Sequence, residues 1–270
     1  MTNNYLHRED AQFGKALWDK LDETIINTAK ARLTGRRLLP IDGPCGPGIK
    51  AIGIADQNIA GTISDRVRIH IACLQPVPVI ESSFTVSMRD IAAFESNGDM
   101  LGLKAAADAA LHCADQEDAF VFGGAKEAGM EGLLNARGVQ KNKLSDWKDT
   151  GAAVDNILDA VNKLDKAGFH GPYAMAMPPP RFNMLLRRYP DGNQTELEHL
   201  RQIITEGIVK SSALASEAVI VTTIKELAAI VVGQDLTTAL AGQHGRDYEF
   251  VAFETAALRL SEPSSVCVLQ

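Results

Sequence analysis

Apolar residues recur four apart near the start of the chain: Leu17, Leu21, Ile25 and Ala29, with Trp18, Ile26 and Leu33 widening the stripe. Positions three and four apart share a helix face, so the spacing predicts one amphipathic helix over residues 8–34. Gly35 follows the stripe and reads as its C-terminal stop. The next stretch, "LLPIDGPCGPG", carries Pro40, Pro44 and Pro47, which forbid a helix and predict an extended arm.

From 49 to 88 the period changes to two. In "RVRIHIAC", Val67, Ile69, Ile71 and Cys73 alternate with Arg66, Arg68 and His70, the pattern of a ribbon with two unlike faces. Asp56-Gln57-Asn58 and Gly61 supply turn chemistry. "VPVIESSFTVSM" continues as a strand entered at Pro76 and Pro78. Residues 101–122 are alanine-rich and predict a long, closely packed helix ended by Gly123-Gly124. Another helix is expected over 150–167, stopped by Gly168. "GPYAMAM" reads as a buried strand, "PPPRFNMLLRRYP" as a proline-started short helix, and 195–206 as helix. The rest turns to strands: "EAVIVTT", "LAAIVVG", "DYEFVAFET" and the tail "SVCVL". This order is α+β, without a regular βαβ alternation.

Composition narrows the function. The 270 residues suffice for one large domain or two small ones, and 46% hydrophobic content supports a sizeable core. A net charge of −7 argues against nucleic acid as main partner. No apolar run reaches the roughly 18 residues of a membrane span, and "MTNNYLHRED" lacks the apolar core of a signal peptide. We expect a soluble cytoplasmic protein with no nucleic-acid and no membrane partner. Cys45, Cys73, Cys113 and Cys267 are scattered and without C-x-x-C spacing, so they read as free thiols.

Catalytic signatures are missing. No G-x-G-x-x-G occurs, and the glycine run near residue 43 follows a helix instead of opening one, unlike a phosphate loop. There is no H-E-x-x-H and no G-x-S-x-G. Glu196 and His199 form E-x-x-H in "TELEHL", a spacing that puts two ligands on one helix face. A di-iron centre needs a second copy and further glutamates, and Glu117 in "DQEDAF" has no matching histidine. We read the pair as a solvated helix face and expect no metal, no cofactor and no catalytic residue.

Short patterns, in order, nonetheless resemble one family. They begin with Trp18, Leu21 and Asp22 as Trp-x-x-Ile/Leu-Asp; Leu33, Gly35, Arg36 and Arg37 as Leu-x-Gly-Arg-Arg; and Gly43, Pro44 and Gly46 as Gly-Pro-x-Gly. "PVIESSFTVSMRDI", "EDAFVFGGAKEAGMEGLL", "GPYAMAM", "GQDLTTAL" and "FETAALRL" continue the match over essentially the whole chain. The sequence resembles encapsulins, the linocin-type nanocompartment shell proteins. The resemblance implies the tailed-bacteriophage major capsid fold (Hong Kong 97-type). It implies an N-terminal helix and arm over 1–48, an extended β-ribbon over 49–76, a peripheral domain from 77–135 with 227–270, and an axial domain over 136–226. The implied function is structural: a self-assembling icosahedral cage of about 60 copies or a multiple. It would enclose cargo enzyme, often of iron-storage or redox type, captured through a short targeting peptide. The matching cargo-binding positions are Ile25, Ala29, Arg32, Leu33 and Arg36 with Asp235, Leu236 and Thr237, although plain helix-on-sheet packing would use the same apolar residues. The matching pore loop is Tyr189, Pro190, Asp191, Gly192, Asn193 and Gln194. A phage-type capsid packaging DNA, and a shell with protease or metal activity of its own at Glu196 and His199, remain alternatives at this point.

Overall fold

The stripe of Leu17, Leu21, Ile25 and Ala29 forms helix α1, Lys15–Arg32, with all four side chains buried. The structure is a computed structural model and describes residues 5–11, 13–58, 70–190 and 192–270. Helix α1 is shorter than its expected 8–34 span. Gly14 holds the N-cap in an extended conformation, and Arg8–Asp10 form a separate 3-10 turn. At the other end Leu33 is the C-cap, and Gly35 opens a second helix, α2 (Gly35–Leu38). A buried carboxylate explains the restart: Asp118 accepts from the Thr34 amide at 2.9 Å and the Gly35 amide at 2.8 Å, supplying two orphan donors with an acceptor. A Cβ on Gly35 would meet Asp118 Oδ1 and Val121 Cγ1 at 3.2 Å, which leaves little room for any side chain.

The remaining elements, in chain order, are strands β1 (Ile41–Asp42), β2 (Ala51–Asn58), β3 (His70–Pro76) and β4 (Val79–Ser87) and helices α3 (Met88–Asn97) and α4 (Lys104–Gly123). Strand β5 (Gln140–Asn142), helix α5 (Ala152–Lys166), strand β6 (Tyr173–Met177) and helices α6 (Pro179–Met184) and α7 (Glu196–Leu200) follow. The chain closes with β7 (Ile208–Lys210), β8 (Ala218–Thr222), β9 (Ala228–Val232), β10 (Thr237–His244), β11 (Asp247–Leu260) and β12 (Val266–Leu269).

One sheet runs β1-β9-β11-β10, with β4 also paired to β11. Strand β11 is long enough to be shared: Asp247–Thr255 pair with β4 and Ala256–Leu260 with β9. Helices α1 and α4 cover one face of this sheet. Ala106, Ala109, Ala110 and Ala114 of α4 meet Leu17, Leu21 and Ile25 of α1 in one buried cluster with Phe84 and Phe250. The small alanine side chains let the two helices approach closely. A second sheet runs β5-β12-β8-β6-β7, and α5 packs Ile157, Val161 and Leu164 against it. The C-terminal strand β12, expected with the peripheral strands, belongs to this second sheet, paired with β5 and β8. Its four residues are buried and apolar throughout, which suits the middle of a covered sheet.

Strands β2 and β3 form a two-stranded ribbon apart from both sheets. Asp56-Gln57-Asn58, expected as a turn, continue β2 and pair with Ala72–His70. Gly61 and the alternation at Arg66, Val67, Arg68 and Ile69 lie outside the described residues. Among the described residues nothing fully covers Ile71 and Leu74 of β3, which are 52% and 60% exposed. Residues 195–206 are not one helix either. Helix α7 ends at Leu200, because the Glu206 amide bonds to Tyr173 O (2.9 Å) and draws the chain back to the β6 edge.

Glycine is required where α4 ends. Gly124 has φ +67°, and a Cβ on Gly132 would lie 2.4 Å from the Gly124 nitrogen. Two backbone segments pass there with no space for a side chain.

Candidate functional site

Helix α1 lies beside β10, so the structure brings together the two groups of residues expected to face a docked peptide. Four of them are interior. Ile25, Ala29, Leu33 and Leu236 are at most 6% exposed and share the buried cluster between α1, α4 and the first sheet. Arg32 is half-buried and ion-pairs with Asp115 of α4. Thr237 is half-buried at the start of β10, and the Asp235 side chain is exposed.

Arg36 is engaged on every side. Its Nη1 donates to Asp235 Oδ1 (2.6 Å), its Nε to Glu117 Oε1 (2.8 Å), and its Nη2 to Glu117 Oε2 and Glu254 Oε2 (both 2.6 Å). Glu117 and Glu254 are buried. Burial opposes the guanidinium's charge, but hydrogen bonds and charge from Glu117, Glu254 and Asp235 outweigh it and hold the group above its ordinary pKa. This hub ties α2, α4, β11 and the β9–β10 turn together. The resemblance implied Arg36 as a cargo contact; the matching pattern "FETAALRL" contains Glu254 but gives it no role, because its partner lies far along the chain.

The free edge of β10 carries a further contact. Among the described residues no strand pairs there; the chain's own segment 5–11 does. The Leu240 amide donates to Leu6 O at 3.1 Å. Arg8 reaches Thr238 O with Nε (2.9 Å) and Nη2 (2.7 Å), and Thr237 Oγ1 with Nη2 (3.2 Å). The same guanidinium makes a two-pronged bond to Asp22 of α1, both distances 2.7 Å, and lies 4.8 Å from the Trp18 ring centroid. Arg8 thus bridges α1 and β10. Its position inside the expected first helix disguised that role.

The described residues of the loop expected to line a pore form a tight turn. The Gly192 amide bonds to Tyr189 O (3.2 Å), the Tyr189 amide to Gln194 O (3.1 Å), and Pro190, Gly192, Asn193 and Gln194 are exposed. Asp191 lies outside the described residues. Tyr189 OH meets His199 Nδ1 at 2.9 Å and fixes the loop to α7.

Glu196 and His199 do not converge. Glu196, read as a solvated side chain, is fully buried: its Oε1 accepts from the Gly151 amide at the start of α5 (2.7 Å) and its Oε2 from Arg187 (3.1 Å). Hidden in a five-residue helix, it caps a neighbour. Among the described residues no group of three His, Cys, Asp or Glu side chains is placed to hold a metal.

The family model described as "Encapsulating protein for peroxidase" matches residues 3–257. Over 268 residues the chain is 32% identical to the type 1 encapsulin shell protein EncA of Myxococcus xanthus (strain DK1622), covering 94% of this chain and 92% of that one. The chain belongs to the encapsulin family. Solved structures agree on the fold. A virus-like particle from Pyrococcus furiosus superposes with a TM-score of 0.75 at 22% identity, covering 94% of this encapsulin chain and 99% of that one. The capsid of Myoviridae phage XM1 follows at 0.57 and 14% identity, covering 85% and 88%. The fold is that of the tailed-phage capsid protein, as the resemblance to encapsulins had implied.

Proposed function

We propose that this chain is the shell subunit of an encapsulin nanocompartment, a closed icosahedral cage of about 60 copies or a multiple that encloses cargo protein. One observation carries the reading beyond family membership: the β2–β3 ribbon. Ile71 and Leu74 on it, and Val79 just beyond it, are more than half exposed. The ribbon rests on the first sheet at its base, through Ile52, and a two-stranded ribbon whose remaining apolar side chains are uncovered is unstable unless something packs on it. In a shell that cover is a neighbouring subunit.

The rest of the assignment follows. The sheet of β1, β9, β11, β10 and β4 with α1 and α4 corresponds to a peripheral domain. The part over 136–226, with β12 added, corresponds to an axial domain whose 189–194 turn lines a pore for small solutes. The wall between α1 and β10 receives a short targeting peptide on the cargo. We assign the shell to the cytoplasm, with no nucleic acid inside and no chemistry of its own. Support comes from the net charge of −7, and among the described residues no helix is long and apolar enough to cross a membrane.

The test is light scattering of the protein purified from its native host, with mass spectrometry of what co-purifies. A megadalton particle holding a second protein at substoichiometric ratio is expected. A particle filled with DNA would favour the phage-type alternative, and a monomer would remove the shell reading.

A further inference from the structure

We infer that residues 5–11 are an internal occupant of the peptide-docking wall, which a cargo peptide has to displace; the inference rests on the reading of α1 and β10 as that wall. Strand β10 is terminal in its sheet, and its outward main-chain groups are what an extended peptide would use to add a strand. Two of them are already taken by the subunit itself. The Leu240 amide is bonded to Leu6 O and the Thr238 carbonyl accepts twice from Arg8. Asp22, the carboxylate on the α1 side of the same gap, is held by both prongs of Arg8. A second peptide cannot make these bonds while the segment does.

The attachment suits a replaceable strap. Leu6 and Arg8 hold the main-chain groups of the edge and Ala11 packs on the core cluster, but residues 5–11 contain no strand and no α-helix, and such a surface segment opens at lower cost than the core behind it. The buried residues of the wall, Ile25, Ala29 and Leu236, stay in place when the strap leaves, because they pack on α4 and the sheet. The site therefore alternates between closed by its own chain and open to a peptide, and the apparent cargo affinity is the intrinsic one multiplied by the open fraction.

Arg8→Ala removes the anchor on both sides. In shells purified from the native host, cargo per subunit is expected to rise about threefold or more, as the open fraction rises. Loading unchanged or lowered in intact shells overturns the strap. Should Arg8→Ala fail to form shells, Asp22→Asn loosens the same bond from the helix side and is read the same way. Hydrogen exchange on wild-type shells, empty against cargo-loaded, separates this inference from the reading beneath it. Faster exchange over residues 5–11 with continued protection at 237–240 supports the strap. A cargo-dependent change at 237–240 with residues 5–11 unaltered sinks the strap and leaves the wall standing. No cargo-dependent change at either segment, with protection elsewhere, removes the wall and the strap together.

Discussion

Glu254 presents Oε2 to Arg36 at 2.6 Å while its Oε1, among the described residues, is buried with no hydrogen-bond partner. Burial pushes this carboxyl up from the ordinary 4.5 to about 9; Glu117 adds to the push and Arg36 opposes it. A group that binds its proton more tightly folded than unfolded stabilises the fold below its unfolded pKa and loses that contribution as pH rises through the folded one. Shell melting temperature should therefore fall progressively from about pH 5 to about pH 9. Glu254→Gln, which keeps the shape and removes the titration, should flatten that slope. An unchanged slope would mean that another group sets it.

Gly132→Ala forces a methyl to within 2.4 Å of the Gly124 nitrogen and 2.5 Å of Phe122 O. Backbone cannot yield as a side-chain tip can, so the loss should be about 3 kcal/mol or more, visible as loss of soluble shells. Gly123→Ala is the control: a methyl there would meet nothing within 4 Å, and shells should form normally.

Leu236 and Asp235 are neighbours with opposite fates. Leu236 is 6% exposed among α1 and α4 side chains, so Leu236→Arg buries an unpaired guanidinium and should cost about 4 kcal/mol or more. Shells should be lost, not merely cargo. Asp235→Ala removes the exposed arm of the Arg36 hub, worth about 0.5–1 kcal/mol, and shells should survive. Size-exclusion profiles of the two variants decide this, and normal shells from Leu236→Arg would show that this position is not part of the core.

Much of the fold was legible because its elements obey one period each. The α1 stripe, the alanine-rich α4, the buried strands at 173–177, 218–222 and 228–232, and the long β11 all announce themselves locally. The failures share a cause: partners distant in sequence. Gly35 reads as a helix stop until Asp118, far along the chain, is seen to cap a second helix there. Helix α7 reads as longer until Glu206 is seen bonded to β6. Strand β12 reads as any apolar tail, and only its pairing with β5 and β8 places it. The candidate site divides in the same way. The motif positions of α1 and β10 were found, but which of them are interior, and that Arg8 bridges them, depends on contacts across more than two hundred residues.

Glu196→Ala leaves the Gly151 amide without its acceptor and Arg187 without one of its own, at a cost of about 1–3 kcal/mol. Melting temperature should drop, whereas the metal content of empty shells, read by inductively coupled plasma mass spectrometry, should match wild type. Loss of a stoichiometric metal would restore the E-x-x-H pair as a ligand set.

Electron microscopy of the purified native particle tests the shell assignment most directly. The account requires hollow icosahedral particles in which the β2–β3 ribbon, with Ile71 and Leu74, is covered by an adjacent subunit. Monomers or small open oligomers at neutral pH, with that ribbon still bare, would contradict it.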